Sequence, residues 1–328
     1  MVLDFEKDFL IKELEERKPS RVLVQLPEGI KQNVFELDEL FKSLEIEVAY
    51  SGETCWGGCA IAVHEAQDIG ADLIVHFGHA KFIEVDFPVL YVEVKDILNL
   101  NSLLERSLNF LKDFRKIGFS YSIQHKHELD KIVKFYEANG KEIILSKKLG
   151  NVAYEGHIVG CQYSGLKAID SEVECFLILG NQFHSMGASL AVSNPIVLID
   201  VYNDNVRLME GLKEKILKQR FVSIDKFKQA KKIGLLVEVK PGQKFGTPEK
   251  LVKLIEEQNK EVVVITMNEM TPEKLMNFYY VDAFIELACP RIALDDFEKY
   301  EKPILTFREA LVGLGQISWE EFIEKGVI

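Results

Sequence analysis

One order of signals recurs three times along this 328-residue chain: an apolar run, a helical stretch, a second apolar run, a loop, and two further apolar runs, the last introduced by proline. The rounds open at Arg21-Val22-Leu23-Val24-Gln25-Leu26-Pro27-Glu28-Gly29, at Lys116-Ile117-Gly118-Phe119-Ser120-Tyr121 and at Lys232-Ile233-Gly234-Leu235-Leu236-Val237. Pro88, Pro195 and Pro303 precede their final runs. A repeat of about 100 residues is long enough for an independent unit. Its runs are continuously apolar, as in parallel strands covered on both faces, and helical spacing between them supplies the crossovers. The sequence therefore predicts an α/β fold of three related parallel-sheet domains around a pseudo-threefold axis, with limits at 1–105, 106–215 and 216–328. The connectors at 99–114 and 205–230 read as helix-rich.

Composition narrows the function. The chain is 47% hydrophobic and its formal net charge is −12, which argues against a nucleic-acid partner, since such affinity comes from neutralising phosphates. The basic stretch Lys213, Lys215, Lys218, Arg220 reads as a solvated helix face. No run of about 18 apolar residues offers a membrane span, and Met1-Val2-Leu3-Asp4-Phe5-Glu6 lacks the pattern of a signal peptide, so a cytoplasmic protein is expected. Five cysteines in a reducing compartment point to metal or catalytic roles rather than a disulfide framework.

Three of the five stand where open parallel sheets place their chemistry, at loops beyond the carboxyl ends of strands. Cys59 closes the loop Ser51-Gly52-Glu53-Thr54-Cys55-Trp56-Gly57-Gly58-Cys59, Cys161 follows His157-Ile158-Val159-Gly160, and Cys289 ends the apolar run Ala283 to Ala288. The first two lie after the second strand of their unit and the third after the third strand, so duplication alone does not account for a thiol in each. Three thiolates with no matched fourth suit a metal site with an open position. An iron-sulfur cluster takes thiolates from distant places and is favoured on spacing, whereas structural zinc uses close cysteine pairs and a fourth ligand. His79 or Cys55 could supply that ligand, so zinc stays open. Cys55 reads as a neighbour of the site, and Cys175, opening an apolar strand, as core. No cysteine stands at Ala62, so a C-x3-C-x2-C radical loop is absent.

Several runs together resemble the archaeal-type diphthamide synthesis enzymes, the 2-(3-amino-3-carboxypropyl)histidine synthase family. They are Gln25 to Gly29, Trp56-Gly57-Gly58-Cys59, Gly160-Cys161, Phe183-His184-Ser185-Met186-Gly187, Lys240-Pro241-Gly242-Gln243 and Ala288-Cys289-Pro290-Arg291-Ile292-Ala293-Leu294-Asp295-Asp296. The resemblance spans nearly the whole chain in order. It implies a homodimer whose subunits each hold a central [4Fe-4S] cluster on Cys59, Cys161 and Cys289, with S-adenosylmethionine at the open iron. It further implies that an external electron donor reduces the cluster. A 3-amino-3-carboxypropyl group then passes by a radical route to a histidine of translation elongation factor 2, the first step of diphthamide formation.

Within that reading, Arg291 is placed to clamp the substrate carboxylate, with a salt bridge to Asp295 or Asp296 as its plainer role. Gly242 in the turn from Lys240 to Gln243 permits close backbone approach, and the plainer role there is a turn. His184, and Glu28 with Gly29 at the first unit's crevice, are candidates for substrate contact or for holding loops. Two departures stand out. Ala60 occupies a position where the family leads one to expect an acid, and the approach to Phe183 is thinned to Leu179-Gly180-Asn181-Gln182. Two other functions share the features: a dehydratase resembling quinolinate synthase, which also sets a [4Fe-4S] cluster among three α/β domains, and a non-catalytic protein bearing zinc or a cluster.

Overall fold

The computed structural model describes residues 2–295 and 297–327. Its strands in chain order are β1 (Leu3–Asp4), β2 (Arg21–Gln25), β3 (Glu47–Tyr50), β4 (Leu73–Phe77), β5 (Val89–Val92) and β6 (Lys95–Asp96), then β7 (Lys116–Tyr121), β8 (Glu142–Leu145), β9 (Cys175–Gly180), β10 (Ile196–Asp200) and β11 (Asn205–Leu208), and last β12 (Lys232–Glu238), β13 (Glu261–Met267), β14 (Ala283–Glu286) and β15 (Ile304–Thr306). The main sheets run β3-β2-β4-β5, β8-β7-β9-β10-β11 and β13-β12-β14-β15. Leaving β11 aside, the order is the same in all three and every pairing is parallel. The fold is thus the triplicated parallel α/β architecture read from the repeats.

Alternate residues of each central strand enter different cores, which is why the runs are apolar throughout. In β2, Val22 and Val24 face one core with Val75, Phe77, Leu37 and Phe41, while Leu23 faces another with Ile74, Ile61 and Ala66. In β14, Ala283 and Ile285 join the core of Phe227 and Leu251, whereas Phe284 joins that of Leu236 and Ile265. The first crossover helix of each unit buries one i, i+4 pair: Leu37 and Phe41, Ile132 and Tyr136, Leu251 and Ile255. Cys175 is fully buried in the core of the second sheet.

Two readings of the connectors need correction. Residues 205–208 are not helical: β11 pairs antiparallel with β10, from Asp200↔Asn205 to Val197↔Leu208. Arg220 does not lie on a solvated face, because its side chain is completely buried. Its guanidinium grips Glu309 through Nε (2.6 Å) and Nη2 (2.7 Å), and donates to the Ala293 and Ile304 carbonyls at 2.7 Å each. The helix Leu212–Gln229 buries Ile216, Arg220, Ile224 and Phe227, spaced at three or four residues, so Arg220 falls on its inward stripe.

Each main sheet reverses its strand order between its first and third strands: β2 and β4, β7 and β9, β12 and β14. A crevice opens at such a point beyond the carboxyl ends. Here all three crevices face one cavity.

Candidate metal centre and substrate cavity

The cavity measures about 620 Å³, and its wall takes residues from beyond β4 (His79, Ala80), β7 (Ser122, Gln124), β9 (Phe183, His184), β12 (Gln243) and β14 (Cys289, Arg291). Cys59 and Cys161 complete it from the loops after β3 and β8. Each sheet therefore sends one of the three predicted cysteines to a common space.

Local structure explains how the thiols are presented. The Cys59 carbonyl accepts the Gly242 N–H at 2.9 Å. A Cβ on Gly242 would lie 2.7–2.9 Å from the carbonyl oxygen, Cα and Cβ of Cys59, so only glycine lets this turn seat against the loop. Gly160 has a similar constraint, since its Cβ would fall 1.8 Å from the Phe183 ring. The Cys289 carbonyl accepts the Ile292 N–H at 2.9 Å as the helix Pro290–Asp295 begins.

Burial dominates the electrostatics. It pushes the Cys161 thiol up to about 12, with Cys59 adding to the shift and Arg291 opposing it. It pushes Cys289 well above the ordinary thiol range, with Cys161, Glu286 and Cys59 contributing in turn. Cys59 is raised too, first by burial. The three thiols thus lie within electrostatic reach of one another and stay protonated at neutral pH until a cationic centre takes them as thiolates.

Arg291 is 4% exposed and held on three sides. Nε donates to Asp295 at 2.7 Å, Nη2 donates to the Phe183 carbonyl at 2.8 Å, and the guanidinium stacks 4.1 Å from the Phe183 ring centroid. Nη1 is buried with no protein partner among the described residues. The salt bridge to Asp295 and a free edge for a ligand therefore coexist; Asp296 lies outside the described residues.

His184 sits in the first turn of the helix Gln182–Ala191, capped by Asn181, whose side chain accepts its N–H at 3.3 Å. Burial, with Arg291 next in effect, drives its imidazole down to about 3, so the ring is neutral, and Nδ1 has no partner among the described residues. The Gln243 amide lies between Cys59 and Glu238. An amide oxygen facing two carboxylate oxygens would be repelled, so its nitrogen is assigned to Glu238, at 2.6 and 2.8 Å, with its oxygen toward the Cys59 thiol. Lys240, itself outside the lining, pairs at 3.1 Å with Glu238 of the wall.

Glu28 and Gly29 take no part in the lining. Both are exposed, and the Glu28 carboxylate accepts from Lys31 at 2.8 Å and from the Cys55 N–H at 3.3 Å. Cys55 is absent from the lining as well and lies beside His76 and His79.

A sequence profile of the diphthamide synthesis protein family matches residues 26–324. The chain belongs to that family. It is 30% identical to the 2-(3-amino-3-carboxypropyl)histidine synthase of Pyrococcus horikoshii over 99% of this chain and 94% of that one. Against the Methanocaldococcus jannaschii synthase it is 26% identical, over 94% of this chain and 89% of that one. A crystal structure of Dph2 from Pyrococcus horikoshii with a 4Fe-4S cluster superposes with a TM-score of 0.88 at 30% identity, covering 97% of this chain and 93% of that chain.

This member of the diphthamide synthesis family also carries buried residues that motif reading passed over: Glu238 lines the cavity, while Glu286 and Tyr163 lie outside the lining and hold the segments just before Cys289 and Cys161. Glu238 and Glu286 are each 2% exposed, and burial raises both carboxyls. Both interrupt apolar runs, Val237-Glu238-Val239 and Ile285-Glu286-Leu287, at the carboxyl ends of adjacent strands. An acid inside a buried parallel strand was the available signal. Tyr163, which donates to the Gly160 carbonyl at 2.9 Å, had none beyond being aromatic.

The second domain also carries an acid-sensitive element. His125 and His157 are 0% and 6% exposed, and burial drives each down to about 4. Neither ring nitrogen of His125 has a partner among the described residues. A depressed folded-state value means these rings stabilise the fold above an ordinary pKa of about 6.5, and that contribution is lost as pH falls toward 4. Urea unfolding of the metal-free protein is therefore expected to show stability declining from pH 6.5 to pH 4, and declining less steeply in His125→Gln. Equal slopes in the two proteins would refute this assignment.

Proposed function

We propose that this protein transfers a 3-amino-3-carboxypropyl group from S-adenosylmethionine to a histidine of translation elongation factor 2, with a [4Fe-4S] cluster on Cys59, Cys161 and Cys289. The observation that carries the reading is the convergence of those thiols, one per sheet, on a single cavity beside Arg291, in a chain matched to the family over residues 26–324. The donor set fits such a cluster: three half-buried cysteines and no fourth cysteine in the lining, which would leave one iron for substrate. When bound and reduced, the cluster supplies the electron that breaks the bond between Cγ and sulfur, releasing methylthioadenosine and the aminocarboxypropyl group.

The chain's own residues bind and orient. The unpartnered Nη1 of Arg291 is proposed to take the substrate carboxylate, while Asp295 and Phe183 hold the guanidinium in plane. Neutral His184 offers Nδ1 as a hydrogen-bond partner to the same amino-acid moiety. Gly242 lets the Lys240 to Gln243 turn seat the Cys59 loop, and Gln243 lines the wall beside it. Glu28, with Gly29 beside it, acts indirectly, through the Cys55 backbone N–H that Glu28 holds. The apolar part of the wall, including Ile123, Ile158 and Met270, excludes water from the reacting carbon.

A homodimer, an external electron donor and a cytoplasmic location are proposed with this reading; the need for a reduced cluster supports the donor. No helix among the described residues is long and apolar enough to cross a membrane. Domain limits of 1–105, 106–215 and 216–328 are proposed on the ground that each range holds every strand of one main sheet.

The test is anaerobic incubation of reduced, iron-reconstituted protein with carboxyl-labelled S-adenosylmethionine and elongation factor 2. Label on the factor together with methylthioadenosine is expected. Neither product from protein with an intact cluster would overturn the transferase reading in favour of a dehydratase or a non-catalytic role.

A further inference from the structure

A second set of metal-ligating groups lies outside the three-cysteine set. The ligand atoms of Cys55, His76 and His79 all fall within 4.8 Å of one another. They sit at the switch point of the first sheet, where Gln25 of β2 is in register with His76 of β4. Cys55 and His76 are 3% and 0% exposed, and His79 borders the central cavity.

The hydrogen bonds around His76 choose its tautomer. The Gln25 amide is oriented from both ends, since its nitrogen donates to the Ala60 carbonyl at 2.6 Å and its oxygen accepts the Ala62 N–H at 3.2 Å. That same oxygen faces His76 Nδ1 at 3.0 Å, so Nδ1 carries the proton. Nε2 is left as a lone pair aimed at His79 Nδ1, 3.0 Å away. An outer-sphere carbonyl that fixes the far nitrogen of a histidine is the usual support of a metal-ligating imidazole. With bonds of about 2.1 Å to nitrogen and 2.3 Å to sulfur, tetrahedral ligand atoms stand about 3.4 Å apart for two nitrogens and about 3.6 Å for nitrogen and sulfur. Reaching that geometry from the present one takes shifts of a few tenths of an ångström to about 1 Å.

We infer that Cys55, His76 and His79 form a second metal site, for a zinc-type divalent cation, separate from the three-cysteine centre. One thiolate and two imidazoles suit zinc, with a water completing the four-coordinate shell. Binding releases one proton, that of the Cys55 thiol. His79 gives up Nδ1 to the metal by moving its proton to Nε2, and His76 keeps its own on Nδ1. The ion joins the Cys55 segment to the end of β4 within the first sheet's own crevice. This site does not depend on the transferase reading.

Native mass spectrometry of the anaerobically purified full chain tests it directly. One zinc per chain is expected in addition to any cluster, and Cys55→Ser should lose the zinc and keep the cluster mass. Simultaneous loss of both from Cys55→Ser would place Cys55 in the three-cysteine centre and overturn the second site. As an independent measurement, the full chain carrying Cys59→Ala, Cys161→Ala and Cys289→Ala, once shown by circular dichroism to be folded, is titrated with cobalt(II). One equivalent is expected, with a thiolate-to-cobalt charge-transfer band that Cys55→Ser abolishes and an affinity that His79→Ala lowers at least tenfold. No cobalt uptake, or a spectrum unchanged by Cys55→Ser, would refute the assignment.

Discussion

Alanine in place of Cys59, Cys161 or Cys289 is expected to bring aminocarboxypropyl transfer to background and to lower iron content and visible cluster absorption with it. Each thiol comes from a different sheet, so no neighbouring sulfur can slide into the vacated position. Cys55, the closest candidate in sequence, is tied to the first sheet beside His76 and His79 and does not line the cavity. The fold itself should survive, because none of the three cysteine side chains belongs to an apolar cluster. Cys175→Ala is the matched control. Its side chain is fully buried in the second core, so it should cost about 1 kcal/mol of stability and leave iron content and turnover unchanged. Iron analysis, the visible spectrum and label transfer on the four variants decide the matter. Full iron and full activity in the three site variants would sink the three-ligand arrangement.

The largest effect on stability is expected at Arg220. Its guanidinium and the Glu309 carboxylate are both completely buried and doubly bonded, and Glu309 also accepts the Thr306 N–H at 2.9 Å. Arg220→Ala strands a carboxylate in the dry interior and unpairs the Ala293 and Ile304 carbonyls. Breaking such a pair from one side costs about 3–5 kcal/mol, whereas replacing both partners with apolar residues of similar volume is often close to neutral. Urea denaturation should therefore show a large loss for Arg220→Ala and substantial recovery in Arg220→Met with Glu309→Leu. A loss below about 1 kcal/mol for the single variant would contradict the buried-pair account. The consequence reaches the site as well. Ala293 belongs to the helix that starts beyond Cys289, so freeing its carbonyl should reduce cluster retention in whatever Arg220→Ala remains folded.

What the sequence by itself determined about this protein is whatever depends on local pattern. Continuous apolar runs closed by Pro/Gly turns encode buried parallel strands, and i, i+4 apolar pairs encode their crossover helices, so the repeat and nearly every main strand were legible. The loops bearing Cys59, Cys161 and Cys289 were legible for the same reason, because a strand's carboxyl end announces where a crevice opens. Family resemblance added the chemistry, since the run from Ala288 to Asp296 carries information that periodicity does not. Tertiary structure decided everything that depends on long-range pairing in a low-dielectric interior. Arg220 read as one more charge on a basic helix until its partner, 89 residues away, placed it in the core. Residues 205–208 read as part of a helical connector, yet they form a strand because the exposed edge of β10 offers a ladder of unpaired backbone groups. Glu238, Glu286 and the proton on His76 depend likewise on neighbours distant in sequence. Desolvation and hydrogen bonding, not residue type, set their charge and tautomer, and only the packed molecule specifies those.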